Sequence, residues 1–174
     1  AFHVANSGRP GPVLVDIPKD VQFQKGNYKS AKEVVVETYK PKVKAELTDI
    51  EKAVEMIVKS KKPVIYSGGG VINAGTKASD ALTEFTRVTN FPITSTLQGL
   101  GAFPGSDPQF LGMLGMHGTY EANNAMHDCD LMINVGARFD DRITGRVDAF
   151  SPNSKKIHID IDPCLLYTSD AADE

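Results

Sequence analysis

Two arginines and two aspartates crowd into Gly136-Ala137-Arg138-Phe139-Asp140-Asp141-Arg142, directly after the apolar run Leu131 to Val135. Charge at the end of a buried strand is costly unless it has partners. A guanidinium grips a carboxylate or a phosphate through two parallel N–H bonds, so this segment suits an anionic ligand, an internal Arg–Asp network, or both. Gly68-Gly69-Gly70 follows a second apolar run, Pro63 to Ser67. Glycines there let a ligand approach the backbone closely; a flexible strand-to-helix turn explains them equally well. The triplet is not the G-x-G-x-x-G fingerprint, and the next helix is expected only several residues later, so a pyrophosphate seated directly on its terminus does not follow. Gly115-Met116-His117-Gly118-Thr119 precedes another helix, where His117 could meet a ring, a phosphate or only solvent. Asp160 and Asp162 close the run Lys156 to Asp162, placed to accept hydrogen bonds from ribose hydroxyls or to cap a following helix.

These groups need elements to carry them. Thr48-Asp49-Ile50-Glu51 has the form of a capping box. It opens a helix with Ile50, Ala53, Val54, Ile57 and Val58 on one face, ending among Lys59, Lys61 and Lys62 before Pro63. Pro63 to Ser67 is expected as a strand, and Thr76 to Val88 as a helix with Ala78, Leu82, Phe85 and Val88 inward. Pro92 to Thr96 is the next strand, Tyr120 to His127 a short helix, and Asp130 to Val135 and Lys156 to Asp162 the last strands. Strands alternating with helices imply βαβ units and a parallel sheet with right-handed crossovers. The expected fold is α/β, a doubly wound, Rossmann-like parallel sheet over residues 48–163. Ligands of such sheets bind outside the carboxyl ends of the strands, where every group above falls. Three successive strand-end loops bearing glycine or charge make a dinucleotide crevice without naming the dinucleotide.

Composition bounds the remainder. The 174 residues suffice for one domain and little more. A net charge of −3 with no basic run argues against a nucleic-acid partner, and no apolar stretch approaches the roughly 18 residues of a membrane span. Cys129 and Cys164 have neither metal-ligand nor disulfide-framework spacing, which points to a reduced, intracellular protein. Pro12 to Ile17, bounded by Pro10-Gly11 and Pro18, is expected as a buried strand. Residues 23–47 form a lysine-rich linker with a short strand at Val34 to Val36. The chain opens at Ala1 with no initiator Met and no signal peptide, as expected of a piece of a longer protein. Residues 164–174 look like a translated sequencing adapter and are expected to be a non-native tail.

The segments SGRPGPVLVDIPKDVQ, TLQGLGAFP, LGMLGMHGTYEAN, GARFDDRITGR and KIHIDIDP, in this order, resemble the catalytic large subunit of the acetolactate synthase (acetohydroxyacid synthase) family of thiamine diphosphate enzymes. The resemblance covers residues 1–163. Pyruvate oxidase and glyoxylate carboligase share the central domain but fit RFDDR-x-TG poorly. A nucleotide-free bracing domain is the alternative from another class, and the glycine triplet and paired arginines count against it.

The resemblance implies a catalytic subunit of three α/β domains. Residues 1–22 would be the end of the N-terminal pyrimidine-binding domain, including its last strand, and 48–163 most of the central FAD-binding domain. FAD contacts are implied for Arg9, Gly68, Gly69, Gly70, Thr96, Leu97, Gln98, Gly115, Met116, His117, Gly118, Gly136, Arg138, Asp140, Arg142, His158, Asp160 and Ile161. Lys19, Met116, Asp141 and Arg142 match substrate-channel positions, with Arg142 a partner for the acceptor's carboxylate. Enzymes of the family decarboxylate pyruvate and join the two-carbon unit to pyruvate or 2-ketobutyrate, in the biosynthesis of valine, leucine and isoleucine. They are cytoplasmic in bacteria, assemble as homodimers or tetramers, and bind a small regulatory subunit. The family's thiamine-activating glutamate and its Mg²⁺ and diphosphate ligands match nothing in this segment. No catalytic or metal-binding residue is therefore expected here, and the segment alone is expected to be inactive.

Overall fold

The computed structural model describes residues 1–30, 39 and 41–162. The strand expected at Val34 to Val36 and the tail expected over 164–174 lie outside the described residues. The chain divides into two compact units, Ala1–Lys44 and Ala45–Glu174.

The first unit carries two single-turn helices, α1 (Phe2–Ala5) and α2 (Lys19–Gln22). Between them, the strand expected at Pro12 to Ile17 does not form. Val13, Leu14, Val15 and Ile17 are all exposed, Leu14 at 89%. A buried strand needs neighbours on both edges to take its amide and carbonyl groups, and no described strand lies alongside this one. Gly8 adopts φ +61, and a Cβ there would collide with the Tyr39 hydroxyl, which donates to the Ser7 carbonyl at 3.3 Å.

The second unit is a five-stranded sheet of order β3-β2-β1-β4-β5, parallel throughout. Its strands are β1 (Pro63–Ser67), β2 (Ile93–Ser95), β3 (Phe110–Met113), β4 (Leu131–Val135) and β5 (Lys155–Ile159). The helices are α3 (Leu47–Lys59), α4 (Gly69–Ala74), α5 (Thr76–Thr89), α6 (Tyr120–Asp128) and the single turn α7 (Asp141–Thr144). Side chains alternate along a strand, and here they feed two cores. Ile65, Ile93, Leu131 and Ile133 pack with Met56 and Ile57 of α3, Val71 of α4, and Leu82 and Phe85 of α5. Val64, Tyr66 and Met132 pack on the opposite face with Met126 of α6, Ile143 of α7, Phe139 and Phe150. The doubly wound α/β expectation holds.

The details differ in instructive ways. Thr48 does not cap α3: the helix starts two residues earlier behind Glu46, whose carbonyl accepts from the amides of Asp49 and Ile50. Only one stripe of α3 can face the sheet, and it is Met56 and Ile57 with half-buried Ala53, leaving Ile50, Val54 and Val58 exposed. In α5, Ala78, Leu82 and Phe85 point inward as expected, whereas Val88 is 79% exposed beside the left-handed terminator Asn90. A helix begins inside the glycine triplet rather than several residues later. Strand β3 was not expected, because Gly112 at φ +94 interrupts its apolar run and the register with β2 shifts there. Strand β5 stops at Ile159, so Asp160 and Asp162 stand just beyond it.

Candidate functional site

The two halves of the sheet wind in opposite senses from the β1–β4 pair. The connection leaving β1 runs to α4 and α5 on one face, and the connection leaving β4 runs through α7 on the other. That reversal is the topological switch point, where the loops splay apart and leave a crevice above the strand ends.

Here the glycines serve a purpose the sequence did not reveal. Gly68 donates its amide to the Val135 carbonyl, and Gly70 donates to that of Gly136, both at 2.9 Å. A Cβ on Gly68 would lie 2.3 Å from the Gly136 oxygen and 2.4 Å from the Ala137 Cα, and one on Gly70 would lie 2.7 Å from the Gly136 Cα. Both side-chain positions are therefore filled by the neighbouring loop's backbone, and the triplet is neither bared for a ligand at those atoms nor a slack turn. A Cβ on Gly69 would press on Gln98 at 3.1 Å. Gly99 closes the floor from the β2 side: a Cβ there would meet the Ser67 carbonyl and Ser95 Oγ, each at 2.7 Å.

The remaining loops are pinned by hydrogen-bonding side chains. Asn134, fully buried on β4, donates Nδ2–H to the Ala137 carbonyl at 2.8 Å and accepts the Ala137 amide at 3.1 Å. His158 Nε2 lies 3.2 Å from the same carbonyl, its ring set edge-on to Phe139 at 5.5 Å. Thr96 caps the 3₁₀ turn Leu97–Gly99 by accepting the Gly99 amide, while Leu97 and Gln98 face solvent. Asn123 clamps the loop after β3, accepting from the Gly115 amide and donating to the carbonyls of Gly115 and Thr119. Sequence reasoning missed Asn123 and Asn134, though a lone amide inside the apolar run LMINV was a usable signal.

On this floor stand the groups that could touch a ligand. Arg138 and Asp140 form a loose pair at 3.8 Å, each a little under half exposed. Asp140 Oδ1 also accepts the Arg142 amide at 3.0 Å and so caps α7; Asp141 Oδ1 shares that amide at 2.9 Å. The internal network is thus mostly carboxylate to backbone, leaving the Arg138 and Arg142 guanidinium groups near solvent. The Met116 amide donates to the Arg142 carbonyl at 3.3 Å, which brings two of the expected channel residues together. Met116 and His117 are exposed, and Gly118 tucks under the Met113 carbonyl. Asp160 is half-buried, 3.9 Å from His158, and accepts the Asp162 amide at 3.0 Å. Gly68 to Gly70, Thr96 to Gln98, Gly115 to Gly118, Gly136, Arg138, Asp140 to Arg142, and His158 to Ile161 thus share one edge of one sheet. Arg9 and Lys19 belong to the first unit.

The sequence that builds this sheet is similar to that of known proteins. Residues 50–172 fit the model of the thiamine pyrophosphate enzyme central domain, through most of the second unit and on into the expected tail. The chain belongs to that family. The chain is 52% identical over 170 residues to the acetolactate synthase isozyme 2 large subunit of Escherichia coli, an alignment covering 95% of this chain and 29% of that protein. It is 50% identical over 168 residues to the acetolactate synthase large subunit of Haemophilus influenzae, with the same coverage. It is 46% identical over 175 residues to isozyme 3 of E. coli, covering 99% of this chain and 30% of that one. The chain therefore spans under a third of the relatives it matches. The resemblance read from RFDDR-x-TG and its companion motifs is borne out. No described helix is long and apolar enough to cross a membrane.

Proposed function

We propose that this chain is the flavin-holding part of an acetolactate synthase large subunit, and that the crevice at the β1–β4 switch point takes FAD. The observation that carries the reading is the pairing of a sealed glycine floor with a half-exposed guanidinium, Arg138, at its rim. The donor set suits the molecule. Arg138 would hold the diphosphate bidentately, half-buried Asp160 would accept from ribose hydroxyls, and exposed Leu97 and Met116 would offer apolar contact to a ring. Gly68 to Gly70 and Gly136 would contribute smooth backbone walls, with Thr96, Gln98, Gly115, His117, Gly118, His158 and Ile161 around them; the FAD contact of Arg9 rests on the family resemblance alone.

In this reading Met116, Asp141 and Arg142 line the route by which 2-ketoacids reach the reacting centre, Arg142 meets the acceptor's carboxylate, and the channel role of Lys19 rests on the family resemblance alone. Thiamine diphosphate, held with Mg²⁺ by residues of the complete subunit, would supply the electron sink that decarboxylation of a 2-ketoacid requires. The flavin-side residues bind and orient; they move no proton in the carboligation. The complete enzyme would work in the cytoplasm as a homodimer or tetramer with a small regulatory subunit, feeding branched-chain amino acid synthesis.

Purification of the complete large subunit tests this directly. It should carry flavin absorbance and form acetolactate from pyruvate when given thiamine diphosphate and Mg²⁺, whereas residues 1–163 alone should form none. A flavin-free subunit that still makes acetolactate would remove FAD from the account, and acetolactate formation by the segment alone would overturn its assignment as a non-catalytic part.

A further inference from the structure

Tyr66 sits at the centre of the sheet, wholly buried on β1, and its hydroxyl is the one buried side-chain polar atom among the described residues without a hydrogen-bond partner. A buried hydroxyl left unpaired is costly, and no step in the flavin reading above uses it. Its surroundings are specific. The Tyr66 ring lies 6.2 Å from that of Phe139, which roofs it and is in turn flanked by Phe150 and His158. Burial pushes the pKa of the phenol well above its usual value, and the Asp140 carboxylate adds to the rise. Asp140 is the charge that acts on this hydroxyl, yet the two are not hydrogen-bonded.

Asp140 is occupied from the other side. Oδ1 caps α7 through the Arg142 amide, and Oδ2 faces Arg138 at 3.8 Å, a distance at which the pair is poorly formed. When a phosphate arrives at Arg138, the guanidinium turns to it, because two charge-assisted bonds outweigh one loose ion pair in solvent. Asp140 then loses its cation and faces a second anion. Repulsion from that anion pushes the carboxylate away from the rim, and the buried side holds an unused donor.

We propose that Tyr66 is a positioning residue: its hydroxyl donates to Asp140 when a ligand phosphate takes Arg138, holding the 138–142 loop and the start of α7 in the ligand-bound arrangement. The proposal rests on the flavin reading. It adds a contact beneath the site that becomes worth making only when the site is filled, so the cost of the unpaired hydroxyl falls on the empty protein and is relieved on binding.

The test is Tyr66→Phe in the complete large subunit, with FAD affinity read by flavin fluorescence, apo stability by urea unfolding, and exchange of the Arg142 to Thr144 amides by hydrogen–deuterium exchange. Tyr66→Phe should leave apo stability unchanged or raised and weaken FAD binding about tenfold, equivalent to about 1.4 kcal/mol. It should also speed exchange of the α7 amides in the FAD complex alone. In an Asp140→Ala background the same change should cost less than about twofold, since the acceptor is gone. A Tyr66→Phe protein that binds FAD as tightly as its parent overturns the proposal and leaves the flavin reading standing. A loss of apo stability with no change in affinity overturns it too, because the hydroxyl then has a partner in the empty state. If the unsubstituted subunit takes no FAD, both readings fall.

Discussion

Replacing Gly68 with alanine separates two explanations of the glycine triplet. The residue has φ −126, which any amino acid adopts, so backbone strain plays no part. The added methyl would lie 2.3 Å from the Gly136 carbonyl oxygen, 2.4 Å from the Ala137 Cα and 2.6 Å from its Cβ. None of these is the far end of a flexible side chain, and Ala137 is itself buried and held by Asn134. The loops after β1 and β4 must therefore part. Overpacking of this kind costs about 1–3 kcal/mol. Parting also breaks the Gly68 to Val135 and Gly70 to Gly136 hydrogen bonds, at about 1 kcal/mol each. The sum, about 3–5 kcal/mol, is a large share of the roughly 5–15 kcal/mol that stabilises a domain. In urea, with a slope of about 1–3 kcal/mol/M, the midpoint should drop by on the order of 2 M. Gly105→Ala is the matched control, because nothing lies within 4 Å of its Cβ position, and its midpoint should barely move. If Gly68→Ala unfolds at the parent's midpoint and loses only flavin, the triplet serves ligand approach, and the interlocked floor described here is wrong.

Arg138→Ala should weaken FAD binding by about 10- to 100-fold, the worth of a charge-assisted contact, while stability stays within about 0.5 kcal/mol, because its pair with Asp140 is loose and half exposed; calorimetric titration beside thermal melts checks both. Asn134→Leu leaves the Ala137 amide and carbonyl without their buried partner and should cost about 2–4 kcal/mol by urea unfolding. Burial raises the Asp130 carboxyl, but the amides of Lys61 and Lys62 donating at 2.7 and 2.9 Å outweigh it, and the net shift is downward. A depressed folded-state value means stability that is present above the unfolded value near 3.8 and lost as pH falls through the folded one. Melting temperatures from pH 6 to pH 3 should therefore fall more steeply in the parent than in Asp130→Asn. Burial likewise pushes the Cys129 thiol up, so in a Cys164→Ser background a thiol reagent should react at neutral pH only after unfolding.

The sheet was legible because its central strands are buried on both faces and so spell apolar runs, such as PVIY and LMINV, bounded by turn residues. Their loops were legible for the same reason: charge and glycine at a strand end stand out against such runs. What was hidden depends on contacts far apart in sequence. Nothing local to Gly68 announces that Ala137 fills the space beside it, and a glycine bared for a ligand looks the same as one bared for a neighbouring loop. Strand β3 was hidden by the bulge at Gly112, and the exposed flank of α3 by a stripe wider than the sheet could cover. Pro12 to Ile17 has the composition of a buried strand, and composition cannot supply the partner strands that such a segment needs. Tyr66 looked like any aromatic on an inner strand; only the packing shows that its hydroxyl has no partner.

The central claim, that the crevice at the β1–β4 switch point is a flavin site, is tested most directly by titrating FAD into the complete large subunit stripped of its flavin, with Arg138→Ala alongside and fluorescence quenching as the readout. The account predicts saturable quenching at one site per subunit, weakened at least tenfold by the substitution in a protein that remains folded. Saturation at the same concentration with and without Arg138, or no saturation in a folded parent, would contradict it.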